Sequence, residues 1–163
     1  MRRRRCRRCE RRPPDGHEQT AVLEAALTRL IPADELGPGA REAGVAGYIQ
    51  AALGDWHRHH ADAYSEGLAA LTQRAHVAHG CAFAQCGDAE RDELLAQVEQ
   101  DEATCSFFEL LRAHAIEGMF GDPRWGWNAG AAGWELLGYE GPRPEWTAQD
   151  QRRGTTAGDE PAR

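Results

Sequence analysis

The stretch EATCSFFELLRAHAIEGMF, residues 102–120, followed directly by GDPRWGWN, residues 121–128, decides how this chain folds. Phe107, Phe108, Leu110, Leu111 and Ile116 fall on one side of a 3.6-residue repeat, so the segment predicts a helix from about Glu102 to Phe120. Gly121 is the expected C-terminal cap, and Pro123 prevents the helix from continuing.

Working outward, the same repeat recurs. Val22, Leu23, Ala26, Leu27, Leu30 and Ile31 form an apolar face that ends at Pro32. Val45, Tyr48, Ile49, Ala52 and Leu53 form a second face. A third helix is expected from about Asp55 to His79 with Tyr64, Leu68 and Leu71 inward. A fourth is expected after Asp88, carrying Leu94, Leu95 and Val98, with Asp88 as its N-cap. Asn128 is the expected cap of a last short helix reaching Leu137. No stretch alternates apolar and polar residues as a strand would. The expectation is an all-α fold: a single irregular helical bundle with long loops and flexible termini. Its parts are an Arg-rich disordered arm (1–16) closed by Pro13 and Pro14, a folded body (17–141), and a disordered tail (142–163) rich in Pro, Gly and polar residues.

Charge is divided unevenly. All 19 basic residues are Arg; residues 1–12 carry a net +7 and the remainder −14. An acidic body repels nucleic acid, so no nucleic-acid partner is expected. No run of apolar residues is long enough to span a bilayer. The five cysteines, at 6, 9, 81, 86 and 105, are an odd number; Cys81 and Cys86 are close enough in sequence to bridge, and the residues leave the thiol state of Cys81, Cys86 and Cys105 open.

Few residues suggest chemistry. No Gly-x-Gly-x-x-Gly follows a strand pattern, Cys6-Arg7-Arg8-Cys9 is followed by Glu10 and not by the His of a haem attachment, and the two serines, Ser65 and Ser106, lie in no nucleophile elbow. Cys6 and Cys9 lack the second Cys or His pair of a zinc site. His57, His59 and His60, with Asp55 and Asp62, are metal-ligand types, and a stand-alone metal-dependent helical enzyme using His57 and His60 is the alternative function. On a helix, however, His59 points away from the other two, so a solvated polar face is expected. His114, among phenylalanines, reads as a satisfied, partly buried histidine.

Two loops stand out. The loop after Pro32 reads as a rigid connection built from Gly and Pro. The second crowds Met119, Phe120, Arg124, Trp125 and Trp127 into one turn, a composition enriched at protein interfaces; the alternative is that Phe120 and one Trp fold back to cap a small core. Met119, Phe120, Asp122, Pro123, Arg124, Trp125, Trp127, Asn128 and Trp134 are therefore the candidate partner surface, and no catalytic, cofactor or metal residue is assigned.

Three stretches, RLIPADELGPGAREAGV (29–45), IEGMFGDPRWGWN (116–128) and GWELLGYEG (133–141), resemble the gluconate 2-dehydrogenase subunit 3 family, the small gamma subunits of membrane-associated dehydrogenases. The resemblance covers roughly residues 18–141. Trp127 stands where the family commonly has a second glycine before the Asn. The resemblance implies a subunit with no cofactor of its own. It implies as partner an FAD-dependent flavoprotein of the glucose–methanol–choline class that oxidises a sugar or sugar acid, often with a multihaem cytochrome c. It also implies a twin-arginine export signal, and here the chain departs from the pattern: no apolar segment follows its arginines. As written the chain is expected to be cytoplasmic; with a different start, or with partner-driven export, it belongs to a periplasmic or membrane-associated complex.

Overall fold

A computed structural model describes residues 16–142 and Glu145. The expectations for the Arg-rich arm and the tail therefore lie almost entirely outside the described residues. Within them the chain forms six α-helices and no strand: α1 (Gly16–Leu30), α2 (Val45–Gly54), α3 (Ala61–His79), α4 (Asp88–Gln100), α5 (Cys105–Phe120) and α6 (Ala132–Leu136). The all-α expectation holds. No described helix is long and apolar enough to cross a membrane.

The central helix is the one the phenylalanines mark. Phe107, Phe108, Leu111, Ala115 and Met119 of α5 are buried against α2, α3 and α4. The α3–α5 crossing is set by Gly67, because a Cβ there would lie 2.2 Å from the ring of Phe107. Val22, Leu23, Ala26 and Leu27 of α1 and Val45 and Ile49 of α2 complete the core with Leu71, Leu94 and Val98. Phe83, fully buried, plugs the core from a 3-10 turn between α3 and α4.

The loop from Ile31 to Gly44 is rigid, as expected of a connection. Ala40 N donates to Ile31 O at 2.9 Å, and Gly39 N donates to Glu42 Oε2 at 3.0 Å. At its start Arg29 holds α4 by a fork: Nε and Nη2 each donate to Asp92 at 2.7 Å, and Nη1 donates to Asp88 at 3.0 Å.

Several boundaries differ from expectation. The third helix does not begin at Asp55: α2 ends at Gly54, a turn carries Trp56 and His57, and a 3-10 turn (Arg58–His60) leads into α3. α5 begins at Cys105, because the Asp101 side chain caps the preceding turn through Ala103 N at 2.9 Å. Ile116 is half-exposed, since the 3.6 repeat carries it round to solvent. Gly87, not Asp88, occupies the N-cap of α4, with its N–H donating to Glu90 Oε2 at 2.7 Å. Gly121 is no left-handed cap, because its φ is −64°. It is glycine for want of room, since a Cβ would lie 2.7 Å from Glu117 O and 2.9 Å from Trp127.

Candidate functional site

The turn after α5 is built from short-range hydrogen bonds. Asp122 Oδ1 accepts from Arg124 N at 3.0 Å, and its other oxygen accepts from Arg124 Nε at 2.9 Å. The Arg124 side chain first, and its backbone N–H second, hold the Asp122 carboxyl below the usual carboxylate range. Pro123 starts the 3-10 turn Pro123–Trp125, and Gly126 reverses the chain at φ 92°.

Asn128 then ties the segment together. It is fully buried with a left-handed φ of 50°. Its Nδ2 donates to Gly121 O at 2.9 Å, its Oδ1 accepts from Gly133 N at 2.8 Å, and its backbone N donates to Gly118 O at 3.2 Å. Ala131, not Asn128, occupies the N-cap of α6: a 3-10 turn (Ala129–Ala131) intervenes, and Asn128 reaches the helix only through Gly133 N, while α6 is only five residues long, ending at Leu136. Trp134 Nε1 donates to Phe120 O at 2.8 Å. Gly133 lets α6 lie on the end of α5, because a Cβ there would lie 2.1 Å from Met119 O. Ala129 N reaches Ala43 O at 3.0 Å, which brings in the loop after α1. The stretches 29–45, 116–128 and 133–141 therefore form one contiguous unit.

This geometry divides the nine candidate partner residues. Met119 and Asn128 are fully buried, so they cannot touch a partner and leave the surface; Met119 belongs to the core and Asn128 to the hydrogen-bond frame. Phe120 and Trp127 fold back onto the core, and Trp134 is half-covered. Trp127 meets Tyr48 edge-on at 5.1 Å and Trp56 at 5.3 Å. Asp122 and Pro123 are half-buried, whereas Arg124 and Trp125 are exposed, Trp125 at 68%. Sequence reasoning missed a further apolar group. Leu36 is 82% exposed at the loop tip, and Leu136, Leu137 and Tyr139 are exposed at the end of α6. The two groups adjoin: the position of a Cβ on Gly37 would be 3.2 Å from Leu136 Cδ1. The available signal was large apolar side chains inside short, Gly-rich stretches too brief to bury them.

A second cluster lies on the other side of Trp127. Tyr48 Oη donates to Glu117 Oε2 at 2.6 Å, and His57 Nε2 sits 3.3 Å from the same oxygen. Burial pushes Tyr48 well above its ordinary range, reinforced by Glu117. Burial would raise Glu117, but the Tyr48 and His57 hydrogen bonds outweigh it and hold the carboxyl low. The rings of His57 and His114 stack at 4.3 Å, and His114 Nδ1 is 3.0 Å from Tyr64 Oη. His114 is buried and satisfied by Tyr64, as expected. The expected solvated histidine face is corrected: His57 and His60 are half-buried, and with His114 they present one ring nitrogen each, all within 4.8 Å of one another. Asp55 and Asp62 are exposed and outside this group, and His59 adds ring contacts to His60 at 3.9 Å and to His57 at 6.1 Å. Burial, then the neighbouring His57, lowers the proton affinity of His114; burial, then His59 and His57, lowers that of His60.

The thiols of Cys81 and Cys86 lie 3.2 Å apart across the turn that follows α3. Burial pushes Cys86 up to about 11, with the neighbouring Cys81 adding to the shift.

Neither the curated proteins nor the solved structures contain a match to this chain. The gluconate 2-dehydrogenase subunit 3 family matches residues 17–141, the whole of the helical body. With that span covered, and the three motif stretches joined by Asn128 and by the Ala129–Ala43 hydrogen bond, the chain belongs to the gluconate 2-dehydrogenase subunit 3 family.

Proposed function

We propose that the chain is a non-catalytic gamma subunit that docks on an FAD-dependent flavoprotein of the glucose–methanol–choline class and supports its maturation or export. The partner oxidises gluconate or a related sugar and holds the FAD; a cytochrome c carries haem in complexes that contain one. Assembly takes place in a periplasmic or membrane-associated complex that the chain reaches with its partner.

One observation carries the reading: Leu36, Trp125, Leu137 and Tyr139 stand exposed on a unit braced by hydrogen bonds such as Ala40 N to Ile31 O and Ala129 N to Ala43 O. Large apolar side chains held rigidly in water have no role in the chain's own core, and they match the anchors that dominate protein interfaces. The test is co-expression with candidate flavoproteins and co-purification. Recovery of a stoichiometric complex, lost in a Leu36→Asp/Leu137→Asp variant that still folds, is expected. A flavoprotein that matures, is exported and turns over equally well without this chain would overturn the proposal.

A further inference from the structure

The geometry points to a binding site for a borderline divalent transition-metal ion of the Zn2+ type, formed by His57, His60 and His114. This assignment is independent of the docking face. The three residues offer one imidazole nitrogen each within 4.8 Å of one another. An all-imidazole donor set selects zinc, copper or nickel and disfavours calcium and magnesium, which take oxygen ligands. A tetrahedral ion with nitrogens at about 2.0–2.1 Å needs them about 3.3 Å apart, so the rings must close inward by somewhat over 1 Å.

The fold supplies what that closure needs. His114 is fixed: it is buried on α5, and its Nδ1 is engaged by Tyr64 Oη at 3.0 Å, leaving Nε2 as the nitrogen for an ion. His57 precedes the 3-10 turn Arg58–His60 and His60 ends it, and both are half-buried, so their rings have room to turn. His57 tilts out of its stack on His114 when it turns to the ion. Two outer partners are already in place. Tyr64 on His114 and Glu117 on His57, at 3.3 Å, hold the second ring nitrogen as outer ligands do in histidine metal sites, fixing tautomer and ring orientation.

The experiment uses the full chain, stripped with chelator and titrated with Zn2+ by calorimetry and with Co2+ by visible absorption. One ion per chain is expected, with the ligand-field bands of a nitrogen-bound, low-symmetry Co2+. His57→Ala and His60→Gln should each weaken Zn2+ binding by about tenfold or more. Tyr64→Phe, which keeps the ring, should weaken it by about 10–100-fold, the usual effect of losing an outer partner. Circular dichroism confirms the fold of each variant. His60 and His57 lie at a half-exposed turn, so their variants remain informative if Tyr64→Phe fails to fold. Absence of saturable Zn2+ binding would overturn the site. So would binding that survives the His57 and His60 variants unchanged, or that follows Cys81→Ser instead.

Discussion

Asn128 stands 2.9 Å from the carbonyl of Gly121 and spends the other end of the same amide on the N–H of Gly133, at 2.8 Å. One buried side chain thereby joins the end of α5 to the start of α6. Asn128→Ala strands a buried acceptor and a buried donor, each costing about 1–3 kcal/mol, so a loss of about 2–6 kcal/mol in urea unfolding is expected. A loss near zero would show that water replaces the amide without penalty.

Trp125 and Trp127, two residues apart, should behave as opposites. Trp125 is exposed, so Trp125→Ala leaves the isolated fold within about 0.5 kcal/mol while weakening the proposed flavoprotein complex by about 2 kcal/mol. Trp127 packs on Tyr48 and Trp56, so Trp127→Ala lowers the chain's own stability by about 2 kcal/mol, below the range for a fully buried tryptophan. Melts of the free chain and partner affinity, measured on the same variants, check both.

Cys81 and Cys86 should join under oxidising conditions, because their sulfurs already touch at 3.2 Å. Cys86 is pushed up to about 11, which disfavours it as the attacking sulfur when an external disulfide exchanges with the pair. Mass spectrometry should find two hydrogens lost between these residues. Closing so short a loop stabilises by about 2 kcal/mol, and Cys81→Ser removes both effects.

The buried histidine sets a pH dependence. His114 holds its proton less tightly in the fold than its ordinary value of 6.5, chiefly through burial and then His57. Between the depressed folded value and 6.5 the unfolded chain binds the extra proton, so stability is full above about 6.5 and falls as pH drops below it. His60 adds in the same direction. Glu117, also held low, contributes only in a more acidic window, below its ordinary 4.5. His57, His60 and Tyr64 face the ring directly. His114→Gln should flatten the fall between pH 7 and 5, read by urea midpoints; an unchanged slope would assign it to other groups.

Much of the fold was legible because α1, α2, α4 and α5 carry their apolar residues at helical spacing. Phe83 was not, because a lone aromatic between Cys81 and Cys86 has no periodicity to announce that it fills the core. The loop residues were harder still. Met119 and Asn128 read as surface from their neighbours, yet hydrogen bonds to residues five and seven positions away pull Asn128 inside. The histidine cluster was half legible: His57 and His60 are near in sequence, but His114 joins them only through the packing of α5, and no local spacing records that.

The hydrogen bond from Ala129 to Ala43 has a kinetic corollary. It braces the loop that carries Leu36 against the segment leading into α6, so the face exists before any partner arrives. Encounter then demands little ordering of backbone, and association proceeds without a slow rearrangement step. Substitutions on Leu36, Trp125 or Leu137 should consequently shorten the lifetime of the complex and leave its rate of formation nearly unchanged.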